Sequence, residues 1–247
     1  MPLELIDYEH RLKEAVKLFW QTRQGAQARS TSSARPNAGT RGSVTGGKHL
    51  DGFVDLITAI VVANGLKAED VKTRQCILPG YFRATKDWDV LVLHQGVLVA
   101  VIELKSQVGS FGNNFNNRTE EVLGSATDLW TAFREGAFHS GEKPGAETPR
   151  PFVGWIMILE DSPKVVSPVR NGAVKFPVFP EFASASYRRR YELLCEKLVS
   201  ERLYQAAALL VTPQSAAVDG KYTDVGVRLF VTELAAHVAK VAALTDS

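Results

Sequence analysis

The sequence predicts an α/β or α+β fold in which a mixed β-sheet core is flanked by helices. Apolar, strand-like runs occupy the middle of the 247-residue chain, helical patterns lie on both sides of them, and a further buried strand at 152–159 follows one of those helices. A chain of this length with 45% hydrophobic residues can bury a core without disulfide staples. No repeat or clear boundary divides it, so we expect a single domain over residues 1–247.

The first helix is predicted to follow Asp7, a residue type favoured at the N-cap. Its apolar residues recur at helical spacing; they are Leu12, Ala15, Val16, Phe19 and Trp20. No basic start followed by an apolar run precedes it, and no stretch is long enough to cross a bilayer. Cys76 and Cys195 lie far apart and in no metal-ligand spacing, which disfavours a zinc site or a disulfide framework. We therefore expect a cytoplasmic protein without membrane contact.

A long polar loop is predicted at 24–47, where the apolar period disappears. No acidic residue lies between Glu14 and Asp51, although the net charge of the whole chain is only +2. Six basic residues do lie there: Lys17, Arg23, Arg29, Arg35, Arg41 and Lys48. This basic loop, at about 23–48, suits contact with a nucleic-acid backbone, with Arg29, Arg35, Arg41 and Lys48 as candidate phosphate ligands. The alternative is a flexible linker.

The remaining elements follow from periodicity and turn signals. A helix is predicted on the apolar face formed by Phe53, Leu56, Ile57, Ile60 and Val61, ending at Asn64-Gly65. We then expect strands at 70–78, 86–93 and 97–105, a Gly/Asn-rich loop at 109–117, a helix at 118–135, a polar loop at 136–150, the strand at 152–159 and helices near 187–198, 203–210 and 229–244.

The central pair of predicted strands carries an unusual set of charged residues. Asp89 opens the first apolar run, and Glu103 and Lys105 close the second. Because side chains alternate along a strand, Glu103 and Lys105 share a face while Leu104 points into the core. A hairpin turn at 94–96 would bring Asp89 beside Glu103. Two carboxylates and an ammonium at strand ends suit a divalent metal and an activated water, which predicts a metal-dependent nuclease.

An acid followed by Glu-x-Lys on the next strand resembles the PD-(D/E)xK nuclease motif. Here it is Asp89, thirteen intervening residues, and then Glu103-Leu104-Lys105, with Trp88 in place of the motif's proline. The stretch at 102–121 resembles a block seen in Type II restriction endonucleases, and the whole chain resembles the XhoI family. That resemblance implies a restriction-endonuclease-like fold and cleavage of duplex DNA at the palindrome CTCGAG by a homodimer with Mg²⁺. It also implies a cognate DNA methyltransferase as the functional counterpart.

By role, Asp89 and Glu103 are the expected metal ligands, since carboxylates suit the hard Mg²⁺ ion. The resemblance implies the backbone carbonyl of Leu104 as a third ligand. Lys105 would polarise the attacking water and stabilise negative charge on the phosphate. Asp87 is the rival of Asp89, and Asp51 is the candidate for an additional acid from a helix.

Amides and one arginine follow the catalytic strand directly and suit recognition of bases. The candidate DNA-binding residues here are Asn113, Asn114, Asn116, Asn117 and Arg118. Ordinary turn and helix-end chemistry is the alternative for this stretch. For the protein as a whole, the alternatives are a repair or recombination nuclease acting on ends or structures, and a non-catalytic DNA-binding protein on the same core.

Overall fold

The computed structural model describes residues 3–32, 48–139, 143–145, 148–172 and 175–245. The strands in this part of the chain are β1 (Val71–Lys72), β2 (Ile77–Pro79), β3 (Thr85–Asp87), β4 (Val90–His94), β5 (Val97–Gln107), β6 (Phe152–Glu160), β7 (Ala206–Thr212) and β8 (Thr223–Val225). The α-helices are α1 (Tyr8–Ser32), α2 (Asp51–Ala63), α3 (Phe111–Arg134), α4 (Pro163–Val166), α5 (Tyr187–Ser200), α6 (Ala216–Asp219) and α7 (Val227–Thr245). Among these helices, none is both long and apolar enough to cross a membrane.

Six of the strands form one mixed sheet in the order β1-β4-β5-β6-β7-β8. β4 and β5 are an antiparallel hairpin, whereas β6 and β7 run parallel to β5. The connection from β5 to β6 passes through α3, and the one from β6 to β7 passes through α5, as parallel strands require. β2 and β3 form a separate two-stranded ribbon. The predicted mixed sheet flanked by helices is confirmed.

The sheet separates two apolar cores. Residues of α1, α2 and α7 pack on one face, and residues of α3 and α5 pack on the other. Alternation along β5 assigns its side chains to the two faces: Ala100, Ile102 and Leu104 belong to the first core and Val101 to the second. The central strand is therefore buried on both faces up to the point where its charged residues begin.

The first two helices and the hairpin agree well with the sequence prediction. Asp7 caps α1 by accepting the backbone N–H of His10 at 3.3 Å. All five residues of the predicted apolar face of α2 are buried, and the helix ends at Ala63 with Asn64 as its C-cap. Gln95 and Gly96 both have positive φ angles, of 48° and 81°, which is the backbone of a tight hairpin turn.

The loop predicted from residue 24 is wrong over its first part, because α1 continues to Ser32. Gln21 and Gln24 donate side-chain hydrogen bonds to the backbone carbonyls of Ala217 and Gln214, at 2.8 and 3.1 Å. The hydrogen bond of Gln24 and the burial of Ala26 are tertiary contacts that accompany the first of the extra turns. Residues 33–47 lie outside the described residues.

The loop predicted at 109–117 is also wrong, since α3 begins at Phe111. Phe111 and Phe115 are buried one turn apart and extend the apolar face of α3 towards its N-terminus. Their burial outweighs the weak helix propensity of the intervening glycine and asparagines. The helical signal was present in the sequence at those two phenylalanines.

Two further expectations are corrected. The helix predicted near 203–210 is the strand β7, whose seven residues are all buried between β6 and β8. A short continuous apolar run does not show whether it is a buried strand or a buried helix. The strand predicted at 70–78 is two short strands, β1 and β2, which belong to different sheets. The strand predicted at 86–93 is likewise divided, because β3 ends at Asp87 and β4 begins at Val90.

Candidate active site

The start of strand β4 is tied to β5 by the side chain of the preceding residue, Asp89. The ladder between the two strands pairs Val90 with Ile102. Beyond that pair, the Asp89 carboxylate accepts the backbone N–H of Leu104 at 2.8 Å, through its Oδ2 atom. The carboxylate thus takes the place of a strand partner, and this fixes Asp89 against the Glu103-Leu104-Lys105 segment.

Glu103 is a buried carboxylate held by two lysines. Its side chain is 3% exposed, and its Oε1 atom lies 2.8 Å from Lys105 Nζ and 2.9 Å from Lys86 Nζ. Burial raises the pKa of Glu103, but Lys105 and then Lys86 outweigh it and hold that pKa below its ordinary value. Its Oε2 atom is buried and has no hydrogen-bond partner among the described residues. One oxygen of a charged group is therefore free for a further ligand.

Lys105 connects the two acids. Besides its contact with Glu103, its Nζ atom lies 3.9 Å from Asp89 Oδ2. Burial raises the pKa of Asp89 above its ordinary value; Lys105 and the Leu104 N–H act in the opposite direction without cancelling that effect. The structure therefore brings the three residues of the predicted cluster together.

These residues nevertheless open into two clefts, one on each side of β5. Asp51, Asp87, Asp89 and Leu104 line a cleft of about 270 Å³ on the α2 side. A cleft of about 340 Å³ on the α3 side has as its lining Arg83, Lys86, Glu103, Lys105, Arg118, Glu120, Glu121, Gly124 and Ser125. We call them the aspartate cleft and the lysine cleft. The contact between Lys105 and Asp89 is the point where they meet.

Asp87 and Asp51 differ from Asp89 in their contacts. Both side chains are exposed at the aspartate cleft. Burial, followed by the nearby Asp55, raises the pKa of Asp51 above its ordinary value. Asp87 lies on β3, in register with Ile77 on β2. Of the three aspartates at this cleft, Asp89 is the one that contacts the Glu-x-Lys strand within the described part of the chain.

The sequence did not single out Lys86, although it is the second cation on Glu103. Lys86 lies on β3, two residues before Trp88, and its Nζ atom stands 4.3 Å from the centre of the Trp88 ring. This stacking and the ion pair orient the ammonium into the lysine cleft. The alternation of Lys86 with Trp88 was visible in the sequence, but the pairing with Glu103 depends on the ribbon of β2 and β3.

The predicted DNA-binding residues are dispersed. Arg118 lies on α3 and lines the lysine cleft, where Glu121 pairs with it. Asn113, Asn116 and Asn117 are exposed on the first turns of α3, and Asn114 is half-buried there. These asparagines lie on a helix and not in the loop predicted at 109–117. Three of the four amides are nevertheless exposed at the surface.

The basic segment is only partly described. Lys48 is exposed in a 3₁₀ turn just before α2. Arg29 lies on α1, and its side chain is outside the described part of the structure. Arg35 and Arg41 lie wholly outside the described residues. The structure therefore gives no account of how these arginines are arranged.

The oxygen atoms at this site fit a hard cation that takes only a few of its ligands from the protein. No three of the described His, Cys, Asp and Glu residues converge as a metal-binding cluster. What the structure offers is the unpartnered Glu103 oxygen, the Asp89 carboxylate and the backbone between Glu103 and Lys105. Mg²⁺ is commonly held by one or two carboxylates, with water and substrate oxygens completing the shell. Two acids and a carbonyl are compatible with that chemistry.

A mixed sheet flanked by helices, with an acid on one strand and Glu-x-Lys on its antiparallel neighbour, defines a restriction-endonuclease-like protein. Comparison with protein families narrows this class. Residues 28–224 match the family described as restriction endonuclease XhoI, a range that includes Asp89, Glu103 and Lys105. The chain belongs to the XhoI family of Type II restriction endonucleases.

Named relatives agree with this assignment. The chain is 46% identical to the Type II restriction enzyme BstVI of Geobacillus stearothermophilus, over 85% of this chain and 96% of that protein. It is 46% identical to the Type II restriction enzyme XhoI of Xanthomonas vasicola, over 81% of this chain and 78% of that protein. It is 50% identical to the Type II restriction enzyme AbrI of Azospirillum brasilense, over 66% and 72% respectively. No solved structure was found to match the chain.

Proposed function

We propose that this protein is a Type II site-specific deoxyribonuclease that hydrolyses both strands of duplex DNA at the palindrome CTCGAG, with Mg²⁺ as its metal. The observation that carries the proposal is the contact of Lys105 with both Asp89 and Glu103, at 3.9 and 2.8 Å, inside the region that matches the restriction-endonuclease family. The target sequence is taken from the resemblance to the XhoI family, since nothing in the site geometry encodes it. The whole chain, residues 1–247, acts as one domain in this proposal.

Asp89, Glu103 and the Leu104 carbonyl are the residues proposed to hold the metal. A bound divalent cation supplies Lewis-acid polarisation of a phosphate oxygen and lowers the pKa of a bound water. The protein's part is to fix the two carboxylates. The Leu104 N–H does this for Asp89, and the Lys105 ammonium group does it for Glu103.

Lys105 is proposed as the catalytic cation. Its side chain is 24% exposed at the lysine cleft, and its ammonium group can donate hydrogen bonds to the attacking water and to a phosphate oxygen. Charge developing on the phosphate is then stabilised by a donor that the two acids already hold in place. Water is the nucleophile, and no covalent intermediate with the enzyme is needed.

The remaining residues of the site are proposed to hold the duplex. Arg118 lines the same cleft as Lys105 and is a donor for a phosphate next to the scissile one. The exposed amides Asn113, Asn116 and Asn117 suit contacts with base edges. Arg29, Arg35, Arg41 and Lys48 are proposed as backbone ligands along the flanking DNA.

A homodimer follows from the symmetry of the proposed target. A two-fold palindrome presents the same cleavage site once on each strand, so an isologous dimer places one active site at each. Host DNA containing the same palindrome needs protection, which the resemblance assigns to a cognate methyltransferase.

Digestion of a sequenced plasmid tests the proposal. With Mg²⁺, the wild-type protein should give discrete fragments whose ends map to CTCGAG. Lys105→Ala should reduce the rate by at least about a hundredfold while leaving binding to the duplex largely intact. Lys67→Ala, at a lysine whose side chain is 76% exposed and far from both acids in the chain, is the matched control and should cut normally.

Four outcomes would contradict the proposal in whole or in part. Progressive shortening from DNA ends would favour a repair nuclease, and binding without cleavage would favour a non-catalytic protein. Full activity in Lys105→Ala would remove Lys105 from the catalytic role. Defined cuts at another sequence would retain the activity but replace the target.

A further inference from the structure

The loop that joins β2 to β3 presents two large aromatic rings to solvent. Tyr81 is 55% exposed and Phe82 is 70% exposed. Their ring centroids are 5.0 Å apart in an edge-to-face arrangement with an interplanar angle of 81°. We call these two residues the aromatic tip. Exposed apolar groups that stand together, rather than singly, are typical of binding surfaces.

The aromatic tip is held rigidly from below by one buried acid. Asp128, on α3, is 3% exposed, and its Oδ1 atom accepts the backbone N–H groups of Tyr81 and Phe82 at 2.7 and 2.8 Å. Its Oδ2 atom accepts Arg83 Nε–H at 2.6 Å. Burial raises the pKa of Asp128. Three groups outweigh this effect and keep that pKa below its ordinary value: the backbone N–H of Phe82, the side chain of Arg83 and the backbone N–H of Tyr81.

The loop backbone is also closed on itself and packed tightly. Gly80 donates its N–H to the carbonyl of Ala84 at 3.3 Å, next to the paired residues Pro79 and Thr85. A Cβ atom on Gly80 would stand 2.6 Å from Asp128 Oδ2 and 2.7 Å from the Arg83 carbonyl, so this close approach needs glycine. The tip is therefore ordered before any partner binds, which lowers the entropic cost of binding.

The position of the loop between β2 and β3 indicates which kind of partner the aromatic tip contacts. Arg83, the residue after the aromatic tip, lines the lysine cleft together with Lys86, Lys105 and Arg118. These four cations share the cleft with three acids, Glu103, Glu120 and Glu121, so they exceed the acids by one, and Lys105 is proposed to meet the scissile phosphate there. Through Arg83 the loop forms part of the wall of this cleft, so a duplex whose backbone enters the cleft comes close to the two residues that precede Arg83. Cationic side chains beside exposed aromatic rings are the combination that nucleic acids favour.

We propose that Tyr81 and Phe82 form a DNA-contacting surface, packing against sugars and base edges of the duplex beside the scissile phosphate. Asp128 is the positioning residue for this surface. The inference rests on the proposed nuclease function and deepens it, because it assigns a duplex contact to residues that carry no charge and no base-reading group of the usual kind. The aromatic contribution is apolar, so it persists at salt concentrations that weaken phosphate contacts.

Steady-state cleavage of a short CTCGAG duplex tests this inference. Phe82→Ala and the double variant Tyr81→Ala/Phe82→Ala should raise KM about tenfold while kcat stays within about twofold, because each removes apolar surface that the duplex would cover. The matched control is Phe176→Ala, which removes a ring that is 83% exposed elsewhere on the surface and should leave KM unchanged. Asp128→Asn should also raise KM, since it weakens the hydrogen bonds that position the loop but removes no aromatic ring.

The outcomes separate this inference from the proposed function. If the wild-type protein cleaves the duplex and the tip variants share its KM, the aromatic tip has no part in binding and the inference is overturned while the nuclease remains. If sedimentation in the absence of DNA shows that Phe82→Ala dissociates a dimer, the partner is a second copy of the chain and the inference is again overturned. A wild-type protein that cleaves no duplex DNA overturns both. Unchanged melting temperatures for the tip variants would confirm that they fold.

Discussion

Asp89 accepts the backbone N–H of Leu104 at 2.8 Å, one residue before β4 begins to pair with β5. This hydrogen bond uses one carboxylate oxygen for backbone positioning. It therefore places an acid from one strand beside the Glu-x-Lys segment of the next without requiring the strand itself to continue. Asp87 lies on the separate ribbon, where its strand partner is Ile77.

This difference predicts unequal roles for the two aspartates. Asp89→Asn should lower the cleavage rate at saturating DNA by at least about a hundredfold, because it removes a negative charge from the proposed metal ligands. The asparagine oxygen can still accept the Leu104 N–H, so the fold should be retained. Asp87→Asn is the matched control and should stay within about tenfold of wild type. A larger loss of activity at Asp87 than at Asp89 would exchange the two assignments.

Lys86 occupies an oxygen of Glu103 and so competes with any cation that binds this carboxylate. Lys86→Gln should therefore tighten binding of Mn²⁺, used as a probe for the divalent site, by about fivefold or more, because it removes one of the two ammonium groups that neutralise this buried carboxylate. Isothermal titration calorimetry without DNA gives this affinity directly. Lys67→Gln, at an exposed lysine that pairs with Glu69, should leave it unaltered. Weaker Mn²⁺ binding in Lys86→Gln would mean that the lysine supports the metal site rather than competing with it.

The elements with regular apolar periods were predictable, and so was the central hairpin. The Gln95-Gly96 turn, the two apolar runs and strand alternation together indicated that Asp89, Glu103 and Lys105 would meet. The elements that the sequence predicted wrongly are those in which tertiary contacts override the secondary-structure preference of the local sequence. β7 is an alanine- and leucine-rich run that becomes a strand because it lies between two other strands.

The division of the site into two clefts was not accessible from the sequence. It depends on where β5 lies relative to α2 and α3. It also depends on the ribbon of β2 and β3, whose strands of three residues are too short to show a period in the sequence. For the same reason Lys86 and Asp128 were missed, since each acts on a residue at least seventeen positions away in the chain. Local patterns predict which residues face the same side of an element, but they do not say which distant side chain arrives there.

The basic segment before α2 can be tested through its salt dependence. Replacing Arg35 and Arg41 with glutamine should reduce the slope of log affinity against log salt concentration by about 0.9 for each arginine that binds a phosphate. Binding of a CTCGAG duplex, followed by fluorescence anisotropy between low and moderate salt, gives the slope. Arg228→Gln, at an exposed arginine on α7, controls for the loss of one positive charge and is compared with each single variant. An unchanged slope in the double variant would make the segment a linker.

His49 is a buried histidine beside β5. It is 5% exposed, its Nε2 atom lies 3.3 Å from Ser106 Oγ on β5, and its ring centroid is 5.5 Å from that of Phe19. Burial lowers the pKa of His49 from 6.5 to about 4, and the nearby Arg23 acts in the same direction. The folded protein therefore keeps this imidazole neutral over a range in which the unfolded chain takes up a proton.

This difference makes stability depend on pH in one direction. Above about pH 6.5 both states hold His49 neutral, so it contributes no pH dependence. Between about pH 6.5 and 4 only the unfolded state binds the proton, and the free energy of unfolding should fall by up to about 1.4 kcal/mol for each pH unit of acidification. Urea unfolding of wild type and of His49→Gln at pH 7.5, 6 and 5 measures the effect. The variant starts less stable because the new side chain packs less well on Phe19, but its free energy of unfolding should fall less steeply than that of wild type as the pH is lowered. Parallel curves for the two proteins, or an NMR titration in which the His49 ring protonates near pH 6.5 in the folded state, would contradict this assignment.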